Sequence, residues 1–279
     1  MPVLRNWKDG EDEMSEKVRH ILSLSGGKDS SALAVFMKDK VPEMEYVFCD
    51  TGDELQETYE YLDKLEFFLG KKITRINSDR PFKHYLALYN GVLPDARTRW
   101  CTRMLKIKPY EKFIGNDRVI SYVGIRADEP YRTGYIATSD RVKAVYPFVE
   151  NNIRKDDVFK ILEDSGVGVP SYYKWRSRSG CFFCFFQQRM EWVGLLERHP
   201  DLFKRAMAYE KADPLTGERF TWVEGESLAE LAKPERVAEI KAQYEKRVAA
   251  QKKSQANLGL KDVFVEEDTG LSPCMMCQL

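Results

Sequence analysis

A short apolar run, Val18 to Leu24, leads directly into Ser25-Gly26-Gly27-Lys28-Asp29-Ser30-Ser31, and Ala32 to Met37 then reads as a helix opening. A strand that turns through two glycines into a helix constrains this chain more than any other feature. The first turn of a helix carries N–H groups with no intrahelical partner and the positive end of the helix dipole, so such a turn faces an anion well. Gly26 and Gly27 let the main chain approach a phosphate with no Cβ between them. Lys28 adds a cation, and Ser25, Ser30 and Ser31 add hydroxyl donors. The G-x-x-x-x-G-K-[ST] spacing of a Walker loop is absent. The plainer alternative is a glycine turn with an N-cap serine; the position between strand and helix favours the phosphate site.

The same alternation continues downstream. Glu45 to Cys49 reads as a strand ending in Asp50-Thr51-Gly52-Asp53. Glu57 to Leu69 places Tyr61, Leu65, Phe68 and Leu69 at helical spacing, Lys72 to Ile76 is a third strand, and Val119 to Val123 a fourth before Gly124. Strands and helices alternating in this way predict right-handed βαβ units and an α/β fold with a doubly wound parallel sheet. Beyond this the texture changes. Asp156 to Ser165 reads as a short amphipathic helix, and Tyr172 to Arg189 as an irregular, aromatic and basic stretch. Met190 to Lys211 reads as one helix, and Ser227 to Gln255 as one or two surface helices. The expected organisation is a nucleotide-binding-type α/β domain over 1–155 and a helical, cysteine-bearing C-terminal region over 156–279, packed together as one unit.

Composition excludes several classes. Of 279 residues 43% are hydrophobic and 12% aromatic, enough for a packed core rather than a disordered chain. Forty-four Lys and Arg balance 44 Asp and Glu, which excludes a uniformly basic nucleic-acid coat but not a local basic groove. No apolar run approaches the roughly 20 residues that span a bilayer, and Met1 to Ser15 is polar and acidic rather than a signal peptide. The expectation is a soluble, cytoplasmic protein with no membrane partner. Six cysteines, Cys49, Cys101, Cys181, Cys184, Cys274 and Cys277, include two C-x-x-C pairs, which in a reducing compartment point to metal or redox chemistry rather than disulfides. Cys49 ends an apolar strand and reads as a small buried hydrophobe. His20, His84 and His199 show no ligand spacing and no nucleophile partner, so triad hydrolysis has no support.

Several islands together resemble one family. Ser25 to Ser30 resembles the pyrophosphate loop of the N-type ATP pyrophosphatases, the adenine nucleotide alpha-hydrolase superfamily. Asp50-Thr51-Gly52 with Glu57-Thr58, Trp100-Cys101 with Lys106-Ile107-Lys108-Pro109, Gly124-Ile125-Arg126-Ala127-Asp128-Glu129 with Arg132, and Ser179-Gly180-Cys181-Phe182-Phe183-Cys184 resemble, in order, the elements of its phosphoadenylylsulfate (PAPS) reductase-like branch. The islands cover roughly residues 18 to 190, and nothing after about 210 adds to them. Two departures matter. The dedicated reductases usually lose the loop lysine, which Lys28 retains, and they end in a Glu-Cys-Gly-Leu-His type segment where this chain has Cys274-Met275-Met276-Cys277-Gln278-Leu279. Both departures make the motif logic most similar to the relatives that install sulfur on nucleic acid, including the DNA-phosphorothioation enzyme.

The resemblance implies ATP and Mg²⁺ as ligands, with Ser25, Gly26, Gly27, Lys28, Asp29, Ser30, Ser31, Asp50, Thr51, Gly124 and Arg126 around the nucleotide. Lys28, Asp50 and Arg126 would act in catalysis. Splitting ATP between its α- and β-phosphates builds charge on the leaving pyrophosphate, which N–H groups, cations and Mg²⁺ neutralise. Asp29 or Asp50 would hold the Mg²⁺, Asp50 being alternatively a turn-former before Gly52. Asp128 and Glu129 would steady Arg126, and Arg132 either joins that clamp or is solvated. By resemblance Cys101, Cys181 and Cys184 occupy cluster-ligand positions. Trp100 stands where the family has a second cysteine, so Cys277 or Cys274 would supply the fourth ligand of a [4Fe–4S] cluster. A Cys₄ zinc site and a C-terminal persulfide or dithiol carrier are the other readings. Around these thiols Arg99, Arg103, Arg176 and Arg178 would lower their pKa values. Basic residues near Cys101 (Arg97, Arg99, Arg103, Lys106, Lys108) and near the first C-x-x-C (Lys174, Arg176, Arg178, Arg189), interleaved with aromatics, suit a nucleic-acid strand or a polyanionic nucleotide; otherwise the charges solvate loops and the rings pack a core.

The expected activity is therefore ATP cleavage to AMP and pyrophosphate that activates an acceptor for sulfur transfer, the acceptor a nucleic acid, with a sulfur donor or partner proteins of a multi-subunit system. The rivals are a PAPS or adenylylsulfate reductase and a catalytically quiet nucleotide-binding subunit of a nucleic-acid-processing or defence complex.

Overall fold

The computed structural model describes residues 18–129, 132, 140–212 and 217–254. Five strands form one sheet: β1 (Arg19–Leu24), β2 (Glu45–Asp50), β3 (Ile73–Asn77), β4 (Val119–Tyr122) and β5 (Val142–Val145). Their order is β3-β2-β1-β4-β5 and every pairing is parallel. This is the α/β class expected from the alternation of strand and helix. Successive strand residues face opposite sides of a sheet. Accordingly Leu22 and Leu24 of β1 enter one apolar cluster with Ala32, Leu33, Leu62 and Leu65, while Ile21 enters another with Val47, Cys49, Tyr110 and Ile114. Both faces are covered, as a parallel sheet requires. Burying each of these Leu and Ile side chains stabilises the fold by about 1.5–3 kcal/mol.

The first face is covered by α1 (Lys28–Met37) and α2 (Gln56–Leu69) together with residues further along the chain. After β3 come α3 (Phe82–Leu88) and a helical run made of α4 (Trp100–Thr102), a π-helical turn (Arg103–Ile107) and α5 (Lys108–Ile114). These elements and β5 are not among those expected above, although α3 buries Phe82, Tyr85 and Leu86 at helical spacing. α6 (Pro147–Glu150) and α7 (Lys155–Asp164) follow β5, with Phe148, Val158 and Leu162 packed into the first cluster.

The C-terminal region differs from expectation in one respect. The single helix read over Met190 to Lys211 is two, α8 (Arg189–Arg198) and α9 (Pro200–Met207), with His199 between them. Pro200 has no N–H to continue the ladder of α8 and instead occupies the first turn of α9, where none is needed. The chain then makes a short antiparallel pair, β6 (Lys211–Ala212) with β7 (Arg219–Phe220), before α10 (Leu228–Leu231) and α11 (Pro234–Ser254). A third apolar cluster, including Phe82, Trp100, Tyr172, Phe182, Trp192, Phe203 and Leu228, joins α3 and the π-helical run to this region. Among the described residues no helix is long and apolar enough to cross a membrane.

Candidate active site

The strand order reverses between β1 and β4, and the crevice beyond the carboxyl ends of strands at such a switch point is where α/β sheets bind ligands. β1 delivers Ser25–Gly27 to this place, and β4 delivers Gly124 and Arg126. Gly26 has φ +72°, a conformation costly for any residue with a Cβ, and a Cβ there would also lie 2.6 Å from Thr58 Cγ2. At Gly27 a Cβ would lie 2.8 Å from Ser179 Oγ. Gly27→Ala is therefore expected to push the cysteine-bearing loop off the phosphate loop and weaken nucleotide binding at least tenfold, measured by calorimetry. Unchanged affinity would show that the contact does not matter. Gly124 packs against the start of α1, where a Cβ would stand 3.2 Å from the Asp29 carbonyl oxygen.

Charges converge on Asp29. Lys28 Nζ reaches its Oδ2 at 3.0 Å and Arg126 Nη1 its Oδ1 at 2.9 Å. Burial alone would raise the Asp29 pKa, but the charges of Lys28 and Arg126 and their hydrogen bonds prevail and hold it at about 2. Arg126 also contacts Asp128 at 3.0 Å and Glu129 at 3.3 Å, and Arg132 binds Glu129 at 2.9 Å with a side chain only 5% exposed. Arg132 thus joins the clamp rather than the solvent. Ser25 Oγ lies 3.1 Å from Ser30 Oγ, and Ser31 is fully buried. Asp50 takes the turn-forming geometry: its Oδ1 accepts the Gly52 N–H and the Tyr59 hydroxyl, both at 2.8 Å. Both Asp29 oxygens are engaged by cations, so neither is open to Mg²⁺ as the residues stand. A Mg²⁺ ion would be held chiefly by phosphate oxygens and water, with carboxylates at second remove.

The cysteines form a second centre beside the first. The segment Ser177 to Gln188 is closed by the buried Glu191, whose Oε1 accepts from the Ser177 N–H and hydroxyl and whose Oε2 accepts from the Gln188 N–H. It docks on the phosphate loop through Ser179 Oγ to Ser25 Oγ, 3.1 Å, and on the turn after β2 through Phe182 N–H to the Asp53 carbonyl, 2.8 Å. Thr51 faces this centre, with its hydroxyl 3.2 Å from Cys181 Sγ and 3.1 Å from Glu54 Oε1. Thr51, Cys101, Lys106, Cys181, Cys184 and Phe186 line one cavity of about 30 Å³. The π-helical turn, a feature frequent at functional sites, carries Lys106 into it.

The expected ligands Cys101, Cys181 and Cys184 are brought to this one cavity, while Cys274 and Cys277 lie outside the described residues. The thiols are the right kind of donor for a cluster or zinc. The cavity, however, has room for about one or two waters, not for a cuboidal cluster, unless Phe185 and Phe186 move. Among the described residues no group of three His, Cys, Asp or Glu side chains is arranged to hold a metal ion. For Cys181 the expectation that arginines depress the thiol pKa is corrected. Burial and the neighbouring Glu54 push Cys181 well up, Lys106 being the cation that opposes them. Arg176 is wholly buried, so it is no part of a surface patch; its Nη2 donates to the Cys181 carbonyl at 2.8 Å. Burial likewise raises Glu54, against the attraction of Lys106 and Arg176. Cys49 behaves as a buried hydrophobe, its thiol raised to about 11 by burial. His199 pairs with Glu57 at 2.9 Å and is no nucleophile's base.

A glycine loop and an arginine clamp at the switch point of a parallel sheet define an α/β protein of the nucleotide-binding kind. The phosphoadenosine phosphosulfate reductase domain model matches residues 19–184, and the chain belongs to that family. It is 31% identical over 130 residues to the adenosine 5'-phosphosulfate reductase of Staphylococcus haemolyticus, covering 45% of this chain and 53% of the relative. Over 219 residues it is 24% identical to the tRNA-specific 2-thiouridylase of Pseudomonas fluorescens, covering 65% and 56%. An uncharacterized protein of Methanocaldococcus jannaschii is 28% identical over 205 residues, covering 68% and 41%. The chain thus spans 41% to 56% of these relatives' own lengths. Among solved structures it is similar to a PAPS reductase from Candida auris in complex with phosphate, with TM-score 0.47 and 13% identity over 60% of this chain and 82% of that one.

Proposed function

We propose that the chain binds ATP with Mg²⁺, cleaves it to AMP and pyrophosphate, and uses the adenylyl group to activate an acceptor for sulfur transfer. The observation that carries this reading is Lys28, retained at the start of α1 and set with Arg126 around Asp29 where the β- and γ-phosphates would lie. The loop N–H groups, Lys28 and Arg126 would neutralise the charge that builds on the leaving pyrophosphate. Mg²⁺ would supply further neutralisation when bound. A nucleic-acid acceptor is supported by Arg99 and Arg178, which lie 5.3 and 5.4 Å from the ring of Phe186 at the cysteine cavity, a layered cation–aromatic arrangement suited to unpaired bases. Exposed Arg97, Arg103 and Lys108 lie on the same stretch of chain as Arg99. On this reading the protein would act in the cytoplasm, in the manner of the DNA-phosphorothioation branch. The division near residue 155 belongs to the same proposal, with the two parts working as one unit.

ATP labelled in its α-phosphate, with single-stranded DNA or RNA and a sulfide source, should yield labelled AMP with pyrophosphate. Release of sulfite from PAPS or adenylylsulfate with a thiol reductant, and no pyrophosphate from ATP, would establish the reductase instead. Binding of ATP with no turnover under either condition would leave a nucleotide-binding subunit.

A [4Fe–4S] cluster on Cys101, Cys181, Cys184 and a C-terminal thiolate, Cys277 before Cys274, is part of the proposal, supported by three thiols meeting at one cavity, which Phe185 and Phe186 would have to leave to admit it. Anaerobically purified protein should then carry about four irons per chain, lost in Cys181→Ser and kept in Cys49→Ser. One zinc per chain would favour the Cys₄ zinc reading, and metal-free, colourless protein would leave the cysteines as redox thiols.

A further inference from the structure

The first amide of α1 is already engaged: the Lys28 N–H donates to the Tyr173 hydroxyl at 3.1 Å. Tyr173 is buried, and its ring lies 5.6 Å from Lys28 Nζ. The preceding residue holds the same loop from its acceptor side, since the Tyr172 hydroxyl donates to the Gly26 carbonyl at 2.7 Å. The two rings stack with centroids 5.0 Å apart. From this pair hydrogen bonds run on to the cysteines. The Arg176 N–H donates to the Tyr172 carbonyl at 2.9 Å, and Arg176 Nη2 donates to the Cys181 carbonyl at 2.8 Å. A stretch remote in sequence therefore seals the phosphate loop and also fixes the cysteine loop.

We propose that Tyr173 is a positioning residue that competes with the terminal phosphates of the nucleotide for the Lys28 N–H, so that filling the phosphate loop loosens the segment leading from Tyr172 to Cys181. The inference rests on the reading of Ser25–Ser31 as the phosphate site. One N–H makes one strong bond, and a charged phosphate oxygen is roughly twice as good an acceptor as a neutral phenol. The phosphate therefore displaces the tyrosine. The coupling is reciprocal: whatever the ligand does to the segment, the segment does to ligand affinity. Replacing the hydroxyl removes the competitor from the free protein and leaves the phosphate contact intact.

The test uses the full chain and its Tyr173→Phe variant. Calorimetry with inorganic pyrophosphate, ATP and AMP should show the first two binding about fivefold tighter to the variant, the size of one ordinary hydrogen bond, with AMP unchanged. Amide hydrogen exchange over residues 171–184 should quicken in the wild-type protein when pyrophosphate is added, and should already be fast and unresponsive in the variant. Pyrophosphate bound equally or more weakly by the variant would overturn the inference while leaving the nucleotide reading standing, as would wild-type exchange that pyrophosphate does not change. A wild-type protein that binds neither ATP nor pyrophosphate would overturn both. Should the variant fail to fold, the wild-type exchange measurement still decides.

Discussion

Asp29→Asn is expected to cost about 1–3 kcal/mol of folding stability, because it removes the carboxylate shared by the buried Lys28 and Arg126 charges while Arg126 keeps Asp128 and Glu129. Urea denaturation at neutral pH measures it, and a loss below about 0.5 kcal/mol, the range of an ordinary surface substitution, would mean that water or another carboxylate compensates. The pH dependence follows from the direction of the shift. The folded pKa of about 2 lies below the ordinary 3.8, so the ionised carboxylate contributes in full above the unfolded value. Its contribution fades as pH falls toward 2. The stability gap between wild type and Asp29→Asn should therefore be constant from pH 7 to about 5 and narrow below 4. A gap that widens on acidification would contradict the geometry.

Lys28→Ala is expected to weaken ATP binding by about 1.5–3 kcal/mol, roughly ten- to over a hundredfold, the size of a lost charge-assisted contact. AMP, which has no β- or γ-phosphate for the lysine to reach, should bind almost as before. Calorimetry with the two nucleotides separates the outcomes, and equal losses for both would move Lys28 away from the outer phosphates. Lys28→Ala also removes one of two cations from Asp29, so a parallel melting curve distinguishes a weakened site from a weakened fold. Arg126, still paired with Asp29 at 2.9 Å, should keep that carboxylate ionised.

How far the sequence could be read depended on how local each signal was. β1 and β2 are largely buried runs, β3 places Ile73 and Ile76 in a short stretch before turn residues, and α2 carries its apolar residues at helical spacing, so each was legible within one or two residues of its observed ends. The π-helical run around Cys101 was not, because its side chains are chosen to line a cavity and carry charge rather than to repeat an apolar face. Pro200 was a local signal that a helix ends, and the pattern of flanking apolar residues hid it. At the site, Lys28, Asp29 and Arg126 were legible as charges near a glycine loop. Glu191 and Tyr173 were not, since a glutamate in the first turn of a helix reads as a cap to Gln188 and a tyrosine in an aromatic stretch has no motif of its own. Their roles in closing the cysteine segment and the phosphate loop come from partners fourteen and 145 residues away.

The sequence by itself determined the βαβ alternation, the family, and the glycine loop with its lysine, because strand, turn and helix preferences act between neighbours in the chain. Only the tertiary structure decided which cations meet Asp29, that the arginine of the cysteine loop is buried rather than displayed, and that burial and Glu54 drive the Cys181 thiol up rather than down. Those outcomes turn on desolvation and on distances between segments remote in sequence. A residue's charge can be read from its letter, but the dielectric around it and the partner across the crevice are set only when the chain has packed.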